Sequence, residues 1–104
     1  MPRIAFKMQL YVGQVAEYRQ RHDNLWSDLA DLLKSIGIND YSIFFDEETH
    51  ALFAVLTIEN AELLDTLPAH AVMQRWWAYM GDIMDANADN SPVVKPLVEV
   101  FHLV

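Results

Sequence analysis

His22 stands four residues after Tyr18 and four before Trp26. At ~3.6 residues per turn, that spacing stacks the three side chains along one side of a helix. An imidazole among apolar neighbours is disfavoured as a cation and titrates near neutrality, which suits a group that both takes and returns a proton. A core histidine bonded to a backbone carbonyl is the plainer reading, and on spacing alone it has the stronger claim. Tyr41, in "NDYSIFFD", alternates onto one strand face with Ile43 and Phe45. Taken alone it is core-edge material. Its hydroxyl gains interest if that strand packs against the helix carrying Tyr18 and His22. Trp76 and Trp77 are adjacent in "MQRWWAYMGDIM". Trp76 aligns with Val72, Tyr79 and Ile83, and Trp77 with Met73, Met80 and Met84. Those two rows make either one broad core face or a flat, donor-bearing wall for a sugar ring.

Positioning these residues falls to a simple run of elements. "RIAFKMQL" alternates with period two and predicts a strand whose apolar side is Ile4, Phe6, Met8 and Leu10. From residue 13 to 37 the period changes. Val15, Tyr18, His22, Leu25, Leu29, Leu32 and Ile36 mark one stripe of a long helix, with Gly37 at its C-terminal cap. "INDYSIFFD" and "HALFAVLTIE" predict strands joined by the acidic turn "DEET". "ENAELLDTL" predicts a short helix ending near Pro68, "HAVMQRWWAYMGDIMDAN" a second long helix, and "LVEVFHLV" a last strand. The order β-α-β-β-α-β is that of an α+β, ferredoxin-like antiparallel sheet with helices on one face. Strands "ALFAVLTI" and "LVEVFHLV" are apolar on both sides, yet the helices cover one. A second copy, docked through an isologous two-fold contact, is the economical cover. A homodimer is the expectation.

Composition narrows the chemistry. The 104 residues fit one domain, 1–104, without repeats or linkers, and 53% of them are hydrophobic. Seven basic residues against fifteen acidic ones leave a net charge of −8. A chain this acidic is repelled by nucleic-acid phosphates and by anionic membranes, so neither is an expected partner. The absence of cysteine excludes disulfides, thiolate catalysis and Cys-based zinc sites. No segment has the apolar length of a membrane span or a secretory signal, and a cytoplasmic location is expected. Asp82, Asp85 and Asp89 lack the ligand density of a calcium loop, and His50, His70 and His102 are scattered outside any zinc spacing. Ser91 belongs to a turn before Pro92, and three glycines make no phosphate loop. No cofactor and no metal are implied.

With those residues in place, the chain resembles the L-rhamnose mutarotases over nearly its full length. The resemblance is carried by "YRQRH" continuing to Trp26, by "NDYSIFFD", "QRWWAYMGDIM", "NADNSPV" and the terminal "EVFHLV". Each piece is unspecific alone; their order and spacing together are not. The resemblance implies a dimeric α/β barrel that interconverts the α and β anomers of a 6-deoxy sugar without metal or organic cofactor. It implies His22 as the acid/base group, and Tyr18, Tyr41, Trp76 and Trp77 as sugar-binding residues. Where members of the family often carry prolines, this chain has Asn24 and Ser27, and further on Asp85 and Ala88. These positions flank the expected site, and they leave open L-rhamnose or a close relative such as L-fucose as the sugar. Two other classes share the fold: a dimeric α/β-barrel oxygenase or haem-binding protein, and a non-catalytic module that binds a small ligand.

Overall fold

The computed structural model describes residues 1–104, and its elements follow the predicted order, three of them shortened. Strand β1, Arg3–Gln9, is followed by helices α1, Val15–Asp23, and α2, Ser27–Ser35. Strands β2, Ile38–Phe45, and β3, Ala51–Ile58, form the hairpin. A 3₁₀ segment, Ala61–Ala69, leads into α3, Ala71–Met80, and the sheet closes with β4, Lys95–Leu97. The strands lie in the order β2-β3-β1-β4, all pairs antiparallel, which is the ferredoxin-like arrangement. No helix is long and apolar enough to cross a membrane.

The core sits between one sheet face and the helices. Met8 and Leu10 from the first strand and its end, with Leu52 and Ala54 of β3, pack against Tyr18, Leu29, Met73, Trp76 and Met80. Leu10, Leu29, Leu52, Leu56 and Ile58 are fully buried, each contributing about 2 kcal/mol of hydrophobic stabilisation. Both strand alternations survive intact, because β1 pairs β3 without a shift: Phe6 faces Ala54 and Met8 faces Leu52.

Three predicted elements are shortened. The long helix over 13–37 is broken at Asn24–Trp26. Asn24 closes α1, its side-chain amide donating to the Gln20 carbonyl at 3.0 Å, and Trp26 enters α2 in an extended conformation (φ −60°, ψ 133°). Asn competes well for helix-terminal backbone groups, so no proline is needed for the break. The second long helix stops at Gly81 instead of running to residue 87. Beyond it, Met84 pairs with Leu10, and the Tyr11 and Asp85 amides donate to the carbonyls of Ile83 and Gln9. Pairing with the end of the first strand takes the place of another helical turn. The last strand is three residues, not eight. Leu97 pairs with Ala5, Glu99 reaches Arg3 at 3.7 Å, and β1 begins at Arg3, so backbone pairing does not continue past that point, although the Arg3 guanidinium still bonds the His102 ring.

Candidate active site

His22 lies in the last turn of α1. Its Nδ1 is 2.9 Å from the carbonyl oxygen of Tyr18, one turn earlier. A carbonyl can only accept, so the proton is on Nδ1 and the lone pair on Nε2. The plainer reading of this histidine is thus met at one nitrogen, and the other is left for chemistry. The Tyr18 ring stacks on the imidazole, centroids 4.3 Å apart, as the four-residue spacing requires. Burial lowers the His22 pKa from its ordinary 6.5, while the Tyr18 carbonyl and Asp23 pull the other way. Near neutrality the ring is uncharged and able to accept a proton.

Trp76 crosses from α3 to meet it, edge-on at 5.3 Å with the rings 89° apart. It is 6% exposed. Trp26, placed by the break between α1 and α2, meets Trp76 at 5.1 Å and stacks on Tyr79 at 5.6 Å. Tyr79 closes the group against Trp76 at 5.8 Å. Arg21, the residue before His22, lies over the Tyr79 ring, 4.2 Å from its centroid. Neither Trp26, Tyr79 nor Arg21 was among the site residues expected from sequence. The Glu17–Arg21 spacing was a legible helical pair, but the aromatic partners come from a helix some fifty residues away.

Tyr41 reaches the core side through a bulge. Asn39 pairs with Thr57 and Ser42 with Val55, so β2 spends three steps where β3 spends two. Asp40 takes up the extra residue at φ 50°. Without it, strict alternation would put Ile38 and Tyr41 on opposite faces. With it, Ile38, Ile43 and Phe45 all pack inward. Burial pushes the Tyr41 phenol up to about 12, although the residue as a whole keeps 38% of its surface exposed. Burial also raises Tyr18 well above the usual phenol range, with a further push from Tyr41, so the two hydroxyls are close enough to feel each other's charge.

Trp77 turns to a different neighbourhood. It lines a shallow groove with Met80, Gly81, Met84, Ala86, Asn90 and Pro92. The structure thus brings Tyr18, His22, Trp76 and Tyr41 into one region and sets Trp77 one helical step to the side. No three His, Asp or Glu side chains converge in a way that could hold a metal ion. The arrangement offers one proton-transfer nitrogen, two neutral phenols and an aromatic wall, which together suit a polyhydroxylated ring with an apolar face.

Comparison with known proteins agrees with that chemistry. A sequence model of the L-rhamnose mutarotase family matches residues 3–103. The chain is 54% identical over 103 residues to an L-rhamnose mutarotase of Jannaschia sp. (strain CCS1), covering 99% of each chain. It is 56% identical over 99 residues to one of Rhizobium johnstonii, covering 95% of this chain and 93% of the relative. The crystal structure of an L-rhamnose mutarotase from Formosa agariphila superposes with a TM-score of 0.93 at 46% identity, each chain covered in full. Likeness over this length, in sequence and in backbone alike, decides the question the residues posed: the chain belongs to the L-rhamnose mutarotase family.

Proposed function

We propose that this protein interconverts the α and β anomers of L-rhamnose, with His22 as the proton-transfer group. The observation that carries the assignment of His22 is its divided imidazole: Nδ1–H is held by the Tyr18 carbonyl, and Nε2 is left with a free lone pair beside Trp76. Mutarotation needs one proton moved a short way. Nε2 takes the proton from the anomeric hydroxyl, the bond from C1 to the ring oxygen breaks, and the imidazolium returns that proton to the ring oxygen. The open aldehyde turns about C1–C2 and the steps reverse on its other face. Atoms and charge balance with no external reactant, and a well-placed acid/base group contributes about 10²–10⁴-fold. Tyr18 and Tyr41, neutral at any working pH, offer hydroxyls to the sugar. Trp76 supplies the flat wall that a pyranose C–H face prefers, and Trp77 joins the proposal on family resemblance.

A homodimer belongs to the same proposal. It is supported by the open sheet face, where Phe44 is 63% exposed beside half-buried Phe53 and Val55, and by Phe101, 76% exposed in the C-terminal segment. The test of function is proton NMR exchange spectroscopy on L-rhamnose and L-fucose, with wild-type protein and with His22→Asn. Wild type should accelerate anomer exchange, and the folded variant should lose about 10²-fold or more, since an amide does not titrate near neutrality. A folded His22→Asn with near-wild-type exchange removes His22 from the mechanism; binding without acceleration by wild type removes the activity.

A further inference from the structure

Arg21 occupies an unusual position for a charged residue beside an aromatic site. Its side chain is 10% exposed, and all three of its nitrogens donate. Nε donates to Glu17 at 2.8 Å, one turn back on the same helix. Nη1 donates to the backbone carbonyl of Tyr79 at 2.7 Å and to Asp82 at 2.8 Å, and Nη2 approaches the second Asp82 oxygen at 3.4 Å. The flat of the group covers the Tyr79 ring at 4.2 Å. One residue thus ties α1, which carries His22, to the end of α3, which carries Trp76.

We infer that Arg21 is the positioning residue for the sugar-facing wall: it holds Tyr79, and through Tyr79 both Trp26 and Trp76, at a fixed distance from His22. This inference rests on the proposed sugar site. Arg21 acts through these contacts rather than on the sugar: four of its five N–H groups are engaged by Glu17, Asp82 and the Tyr79 carbonyl. The fork is what the role requires. A guanidinium serves three acceptors and a ring face at once, whereas an ammonium is a point charge that cannot hold them in one plane. The Tyr79 carbonyl lies at the C-terminus of α3, where a cation is also favoured by the helix dipole. The bridge is polar at both ends and covered by an aromatic ring, so it orients the two helices in a way that apolar packing alone does not.

A wall out of place should weaken sugar binding more than it slows proton transfer. The experiment measures the L-rhamnose Kd by tryptophan fluorescence, and KM, kcat and the pH profile of kcat by NMR exchange. Arg21→Gln should raise Kd and KM about tenfold, with kcat changed by no more than about threefold and its pH midpoint unmoved. Arg21→Lys keeps the charge and secures folding, and should fall between Gln and wild type. Arg75→Gln removes a different, exposed ion pair from α3, the contact to Asp28 at 3.4 Å, and should leave Kd alone. A lowered melting temperature with unchanged Kd in both Arg21 variants, a loss confined to kcat, or an equal loss in Arg75→Gln would each overturn the inference. Failure of the proposed activity reads differently: wild type would then bind sugar without exchanging anomers, and the Kd comparison would still decide the role of Arg21.

Discussion

An imidazole that has given one nitrogen to its own helix titrates with the other, and burial sets where. His22 must be neutral to take the anomeric proton, and its folded pKa lies below 6.5. Exchange should therefore persist at pH 6.5 and decline only in more acidic solution, as Nε2 becomes protonated; an activity midpoint above 6.5 in the NMR assay would contradict this assignment. The same shift bears on stability. Between the folded and unfolded values the unfolded chain binds more protons, so the stability that His22 allows is complete above 6.5 and diminishes as pH falls through that window. Tyr41 acts at the other end. Its unfolded value is 10.0 and its folded value about 12, so its contribution is intact below 10.0 and is lost as pH rises toward 12. Urea midpoints taken across pH should show both shoulders.

Two elements carry backbone features that substitutions can address separately. Ser27 is the first residue of α2, where a missing amide proton costs nothing, and Trp26 before it already has the extended geometry that precedes proline. Ser27→Pro should be tolerated and should raise stability by about 0.4–1 kcal/mol in chemical denaturation, by restricting the unfolded chain. Asp40 sits at φ 50° in the β2 bulge. Asp40→Val should lose about 1–2 kcal/mol, since a β-branched residue resists that conformation, while Asp40→Gly should not. These two places also show where the sequence is readable and where it is not. Period-two strands and the Tyr18–His22 stripe were legible because side-chain spacing alone produces them. The helix break was hidden because the apolar stripe runs through it unbroken from His22 to Leu25 and Leu29, and neither Asn24 nor Ser27 is a proline to announce it. The bulge was hidden because Tyr41, Ile43 and Phe45 alternate correctly by themselves, and only Ile38 reveals the extra residue. Trp77 keeps the same row as Met80 and Met84 in sequence and in the fold, yet nothing in that row reveals that Trp76 alone meets His22. Arg21 was legible to Glu17, at helical spacing, and not to Asp82, sixty-one residues on.

At the scale of the whole molecule, one sheet face is covered by helices and the other is not. If a second copy covers it, sedimentation at micromolar concentration should give about twice 12.0 kDa. Phe44→Arg, on an exposed side chain of that face, should shift the distribution toward monomer while leaving the circular dichroism spectrum unchanged. A monomeric wild-type protein would remove the dimer from the proposal. In such a dimer, the net charge of −8 on each chain would keep separate assemblies apart without opposing a contact built from Phe44, Phe53 and Val55. The strand order has a further consequence, one of timing. β4 pairs only with β1, so the first strand to be synthesised waits for nearly the last segment of the chain before its outer edge is satisfied. Until Lys95–Leu97 arrive, a nascent chain presents the backbone amides and carbonyls of Ala5–Lys7 as an open edge, free to recruit any strand that comes by.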